Sequence, residues 1–255
     1  MSDLEARTQL AATHTHDAIR IRLSGRRRHS YLSDFIYGGI DGAVTTFAVV
    51  AGVTGAGLDS RIIIVLGLAN LVGDGFSMAA ANFLGVRATA QELARARADE
   101  SHQIEHYPEG EREEIRQIFT GHGVTGDALD RVVEAITSDR NRWIDTMITH
   151  ELGMALEHRS PARAGSTTFV AFMIVGAIPL VPFLLGQLDL MPATPYGASV
   201  LATGIAFFLV GAMKCRFVDQ RWWFGGTETL AVGGLAAALA YAVGVLLRGV
   251  VSGVG

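Results

Sequence analysis

A chain of 255 residues carries one cysteine, Cys215. A lone thiol closes no intramolecular disulfide and supports no zinc-finger or iron–sulfur framework. Lysine is as scarce: Lys214 stands alone, so the basic complement of 21 is almost all arginine. With abundant alanine and glycine, this is the composition of a GC-rich bacterial genome. Charge is also thin, at 18% of residues against 49% hydrophobic, and the mean hydropathy is +0.31. Such a balance excludes an ordinary soluble domain and points to the membrane class. The N-terminal stretch has no apolar core followed by a small-residue cleavage site, so no secretory signal is expected and the first hydrophobic segment is retained. Nothing in the charge pattern calls for a nucleic-acid partner.

The charges that are present lie unevenly. Val86 to Ser160 holds 15 of the 25 acidic residues but only 9 of the 21 basic ones, about −6 in total. Two environments therefore share one chain. A bilayer core of roughly 30 Å needs about 20 mostly apolar helical residues, because peptide groups find no water there. Five segments qualify: Phe35 to Gly57, Ile62 to Leu84, Thr168 to Leu188, Gly197 to Met213 and Thr227 to Leu247. Between the second and third, helical periodicity predicts Arg87 to His106, Glu111 to His122, Gly126 to Ser138 and Arg140 to His158, punctuated by Pro108 and by glycines at 121, 123 and 126.

The expected architecture is all-α, a polytopic membrane protein with five transmembrane helices and a helical cytosolic insert. The domains are a disordered basic N-terminal tail (1–30), transmembrane helices one and two (31–85), the insert (86–162) and transmembrane helices three to five (163–250). Arg26, Arg27 and Arg28 precede the first span, Arg87, Arg159 and Arg163 flank the insert, and Lys214, Arg216 and Arg221 join spans four and five. The opposite loops, near Asp59 and Asp189, carry only Arg61. The positive-inside rule then places the N-terminus and insert in the cytosol, in a bacterial cell (inner) membrane. Trp222 and Trp223 read as an interfacial anchor. Glu228 follows in the first turn of span five, where a helix N-terminus favours a carboxylate without any transport role.

Candidate chemistry begins inside the bilayer, where a charged side chain costs several kcal/mol and normally faces a bundle interior or a pathway. Span one carries Asp41, and span two carries Asp74. Asn70, Asp74 and Met78 fall at i, i+4 and i+8, and so share one helix face that offers an amide, a carboxylate and a thioether. Asp34, Asp41 and Thr45 share a face of span one, with Asp34 near the cytosolic mouth. Hard oxygen ligands with a softer sulfur suit Fe²⁺ or Mn²⁺ better than Ca²⁺ or Mg²⁺. The bland reading has both aspartates bonding to neighbouring backbone or capping interrupted helices.

In the insert, Glu100 and Gln103, Glu111 and Glu114, and Met147 and Glu151 are spaced to share faces, so three helices can converge on a metal. His102 and His106 add an i, i+4 pair beside Glu105. Solvated acidic faces are the commoner outcome of such patterns. His14 and His16, a His-x-His in the tail, read as solvated.

These residues, taken together, resemble the vacuolar iron transporter family from about Tyr31 to Val245. The likeness is carried by Asp41-Gly42 followed by Ala51-Gly52-Val53-Thr54-Gly55-Ala56, by Gly67-Leu68-Ala69 and Ser77-Met78, by Pro108-x-x-Glu111-x-x-Glu114-Ile115, by Trp143-Ile144-Asp145-x-Met147-x-x-x-Glu151-Leu152-Gly153, and by Ile178-Pro179-Leu180-Val181-Pro182. The resemblance implies a homodimer that moves Fe²⁺, with Mn²⁺, out of the cytosol in exchange for protons, along a path between the two subunits' first spans. It assigns Asp41 and Met78 to that path, and Glu100, Glu111, Glu114, Met147 and Glu151 to metal capture. The transported ion would be substrate, with no cofactor permanently bound. The chain departs from the family pattern at Ile148, Gln103 and Asn70. His102 and His106 could offset the thinner insert site, and Asp74, one turn from Asn70, could supply an intramembrane carboxylate.

Two other classes of function compete. An intramembrane hydrolase would use Asp41 and Asp74 as an acid/base dyad, but no second pattern supports a water nucleophile and the acidic insert would be idle, so no enzyme is expected. A membrane-anchored metal sensor or store would not need aspartates in the bilayer.

Overall fold

The computed structural model describes residues 3–24, 31–156, 159–188, 190, 194–215 and 220–252, and the regular elements among them are all helical. The chain divides into two compact units, residues 1–30 and 31–255. The first contains α1 (Asp3–Thr13) and α2 (His16–Ser24), where a disordered tail was expected. Alanine, leucine, glutamate and arginine in α1 are strong helix formers, which accounts for the difference. Arg26, Arg27, Arg28, His158, Asp189 and Arg216, named in the sequence reading, lie outside the described residues.

The second unit runs α3 (Leu32–Gly55), α4 (Ser60–His106), α5 (Pro108–Gly121), α6 (Asp127–Thr137), α7 (Arg140–His150), α8 (Pro161–Ala177), a 3₁₀ turn (Ile178–Leu180), α9 (Val181–Gln187), α10 (Pro195–Lys214) and α11 (Trp222–Ser252). Five stretches are long and apolar enough to cross a bilayer: Leu32–Gly55, a window within Ser60–His106, Pro161–Gln187, Pro195–Lys214 and Trp222–Val250.

Three boundaries differ from expectation. The second apolar segment and the first insert helix are one continuous helix of 47 residues, about 70 Å long at 1.5 Å per residue. Gly85 alone does not stop a helix when no proline follows and Ala88, Ala90, Gln91, Glu92 and Leu93 all favour it. The expected boundary at residue 85 therefore falls inside a rigid rod. α7 ends at His150 rather than His158, because Gly153 adopts φ +64°, a conformation that ends helices readily only at glycine. In the third apolar stretch, Pro179 and Pro182 break α8 from α9. The Ser199 hydroxyl donates to the Pro179 carbonyl at 2.7 Å, repairing part of that break from α10.

α3 is central, packed against α8, α11, α4 and α10. Close approach to α8 depends on Gly38 and Gly42, four residues apart on one face, where backbone meets backbone. A Cβ at Gly42 would stand 2.6 Å from the Phe172 carbonyl oxygen, while one at Gly85 would meet nothing within 4 Å. Gly42→Ala is therefore expected to cost about 1–3 kcal/mol and lower the melting temperature of the detergent-purified protein. Gly85→Ala should leave it unchanged or raise it.

The insert has its own apolar core of Leu93, Ile104, Ile115, Leu129, Val133, Trp143, Ile144, Met147 and Ile148. The distal half of α4 contributes two of these side chains, which fixes α5 to α7 around it.

Candidate functional site

Two side-chain bonds set the register between α3 and α4, which run antiparallel. Asn70 Nδ2 donates to Thr45 Oγ1 at 3.5 Å, and Asn82 Nδ2 donates to Asp34 Oδ1 at 3.0 Å. Between these rungs the same register brings Asp74 alongside Asp41, and the two carboxylates are within electrostatic reach of each other. It brings Met78 to the level of Gly38, one turn nearer Asp34. The result is a ladder one helical turn per rung: Thr45 with Asn70, Asp41 with Asp74, Gly38 with Met78, Asp34 with Asn82. Asp41 and Met78 are half-buried, whereas Asp74 is exposed in the single chain.

Asp34, expected near the cytosolic mouth, is buried and paired. It is 6% exposed and forms an ion pair with Arg159, which also lies over the Tyr31 ring at 5.6 Å. Asn82, which donates to it, also donates to Thr168 Oγ1 at 2.7 Å. The Ser160 backbone N–H donates to the Tyr31 hydroxyl at 3.0 Å. The starts of α3 and α8 and the middle of α4 are thus tied at one point. Arg159, Asn82 and Thr168 were not predicted. Asn82 had a signal, since it continues the 70, 74, 78 stripe by one more turn; Arg159 lies 125 positions from Asp34 and had none.

The insert carboxylates converge. Pro108 starts α5 at a position where its missing N–H costs nothing, and Glu109 and Glu111 in the first turn complement the helix dipole. Glu111 then faces Glu100 of α4, at 4% and 3% exposure, and each leaves one buried carboxylate oxygen without a hydrogen-bond partner. Burial pushes the Glu100 carboxyl up to about 7, with help from the charges of Glu151, Glu111, Glu114 and Asp99. Glu111 is likewise pushed up to about 7, by burial and then by Glu114 and Glu151. Glu151, at the end of α7, is raised by partial desolvation and by Glu114. Met147 sits fully buried in the insert core. Gln103 is exposed on α4.

His102 and His106 do not join this group. At 100° per residue they lie about 200° and 240° around α4 from Glu100, on its exposed side. Among the described residues, no three or more His, Cys, Asp or Glu side chains are gathered closely enough to hold a metal ion. The four glutamates approach each other electrostatically, as mutually repelling carboxylates do short of a closed ligand cage. Glu228, outside the seam, is paired with Lys214 at 2.6 Å.

The raised carboxyls make stability depend on pH. A group whose folded pKa exceeds its unfolded value of about 4.5 binds more protons when folded, so its stabilising contribution is full below about 4.5 and is lost as pH rises toward and through 7. In the presence of a chelator, the insert should unfold at a lower temperature at pH 8 than at pH 5.5, by roughly 5–10 °C. Glu100→Gln and Glu111→Gln should each raise the pH 8 value and flatten the dependence. A melting temperature that rises with pH across this range would contradict the arrangement.

Apolar helices of bilayer length with ionisable groups set between them define an integral membrane protein. The model of the VIT family matches residues 32–245, and the chain belongs to that family. Vacuolar iron transporter 1 of Arabidopsis thaliana is 32% identical over 211 residues, 82% of each chain. Vacuolar iron transporter 2 of Oryza sativa subsp. japonica is 31% identical over 212 residues, 82% of this chain and 84% of the relative. The vacuolar iron transporter of Toxoplasma gondii is 28% identical over 269 residues, 98% of this chain and 86% of the relative.

Proposed function

We propose that the protein is a homodimer that exports Fe²⁺, and with it Mn²⁺, from the cytosol in exchange for protons, and that it is not an enzyme. The observation that carries this reading is the α3–α4 ladder, with Asp41 and Asp74 side by side in membrane helices of a VIT-family chain. A pair of carboxylates with an amide one turn to one side and a thioether one turn to the other is costly to place in a bilayer, yet is a sufficient donor set for a dehydrating first-row cation.

The dimer is supported by α4. Asp74 is exposed there beside Val72 at 54% and Phe76 at 68% exposure. A carboxylate facing lipid costs several kcal/mol, whereas a second copy meeting the first along this face would close a four-carboxylate passage. The N-terminus and insert then lie in the cytosol. Glu100, Glu111, Glu114 and Glu151 collect the ion, with Met147 buried in the apolar core of the insert. The ion passes to the ladder, where Asp41 and Met78 of both subunits replace its water. Cation and protons compete for the same carboxylates, and that competition couples their fluxes.

Proteoliposomes loaded with an iron-sensitive dye and given an imposed pH gradient test this. Fe²⁺ flux should scale with the gradient and collapse with a protonophore. Metal binding without flux would instead mark a membrane-anchored sensor or store.

A further inference from the structure

Among the imidazoles outside the site described, His102 and His106 stand nearest to one another. His102 and His106 are exposed on α4, four residues apart, with ring centroids 4.0 Å apart and planes inclined by 23°. His106 Nδ1 lies 2.8 Å from the His102 carbonyl oxygen. In the neutral ring that bond fixes the proton on Nδ1 and leaves Nε2 as a lone pair, the arrangement by which proteins set a histidine as a metal ligand. Asp99 stands three residues before His102 and seven before His106, hence on the same stripe, and is engaged by Arg95 at 3.7 Å with both side chains well exposed.

We infer that His102 and His106 form a second binding site for a nitrogen-preferring divalent ion, Zn²⁺, Ni²⁺ or Cu²⁺, independent of the carboxylate cluster. Independence follows from geometry: Glu100 and Glu111 lie across a helix about 10 Å thick, so one ion cannot bridge the two faces. It also follows from chemistry. Imidazole pairs suit Zn²⁺, Ni²⁺ and Cu²⁺, whereas the inner face offers carboxylate oxygens. Among the described residues no third protein ligand is gathered here, so water completes the coordination sphere. The site binds rather than hydrolyses, because its neighbouring acid, Glu105, is tied to Arg140 at 3.3 Å and is not free as a base. The insert can thus hold a softer ion on its outer face without blocking its acidic inner face. This holds whether or not the protein transports metal, since binding alone reads it.

The test is titration of the full-length protein in detergent with Cu²⁺, followed by electron paramagnetic resonance. The wild type and a His14→Ala/His16→Ala variant should show a tightly bound ion with coupling to two nitrogens. His102→Ala and His106→Ala should each abolish the two-nitrogen pattern and weaken binding about tenfold or more. Both side chains are exposed, so size-exclusion behaviour should not change. Glu100→Gln and Glu111→Gln should leave the signal intact. An unchanged signal in His102→Ala or His106→Ala would overturn the site, and loss in Glu111→Gln would show one shared site instead of two.

Discussion

Asp41→Ala is expected to reduce Fe²⁺ flux into proteoliposomes by about 100-fold or more, the scale seen when even one neutral hydrogen-bonding group that stabilises charge is removed from a water-excluded site. The side chain is half-buried on α3, and its rung is flanked by Thr45, whose hydroxyl donates to the Asp41 carbonyl at 2.9 Å and accepts from Asn70. The backbone there is already satisfied, so removing the carboxylate leaves the helix and its packing intact. Metal binding by the insert and the elution volume should therefore match the wild type. Asp41→Asn separates charge from shape, because it keeps the volume but can neither neutralise the ion nor carry a proton; any residual flux should lose its dependence on the pH gradient. Asp41→Glu should recover part of the rate. Wild-type flux in Asp41→Ala vesicles would remove Asp41 from the pathway and, with it, the carrying observation for export.

Much of this arrangement can be read from spacing within single helices. The five apolar stretches stand out by length, and Asn70, Asp74 and Met78 share a face by arithmetic. Glu111 and Glu114 share a face of α5 by the same arithmetic, whereas the electrostatic approach of Glu100 and Glu151 to them comes from the packing of three helices. What spacing cannot supply is which face meets which. Spacing alone puts His102, two residues from Glu100, on the opposite side of α4, but that the Glu100 side is the one turned toward the insert core is decided by the packing of Leu93 and Ile104. The continuity of α4 is masked in the sequence because the apolar run stops at Leu84, whereas a helix propagates through a change of solvent wherever its residues favour it. The end of α7 is signalled in the sequence by Gly153, but whether a glycine takes positive φ depends on where the packed fold sends the chain beyond it. Pairings across more than a hundred residues, such as Arg159 with Asp34, depend on the packed bundle and have no local trace.

That pairing supports the second large effect. Asp34 is buried and its charge is compensated by one guanidinium, so Arg159→Ala leaves an unpaired carboxylate and is expected to cost about 3–5 kcal/mol. The melting temperature should fall by roughly 10 °C or more for a protein of this size. Asp34→Asn should also destabilise, since Arg159 keeps only its Tyr31 ring contact and its partial exposure to water. The double variant Asp34→Asn/Arg159→Ala removes both charges while retaining an amide that can accept from Asn82, and should recover most of the loss. The cycle also decides what Asp34 does. If its task is to clamp the starts of α3 and α8, flux in the double variant returns along with stability. If it also relays the ion, stability returns but flux stays low, because no carboxylate then stands between the insert and the Asp41 rung. Additive losses in the two single variants, with no recovery in the double, would mean that the pair is not coupled and that the clamp is held by the Tyr31–Ser160 and Asn82–Thr168 bonds alone.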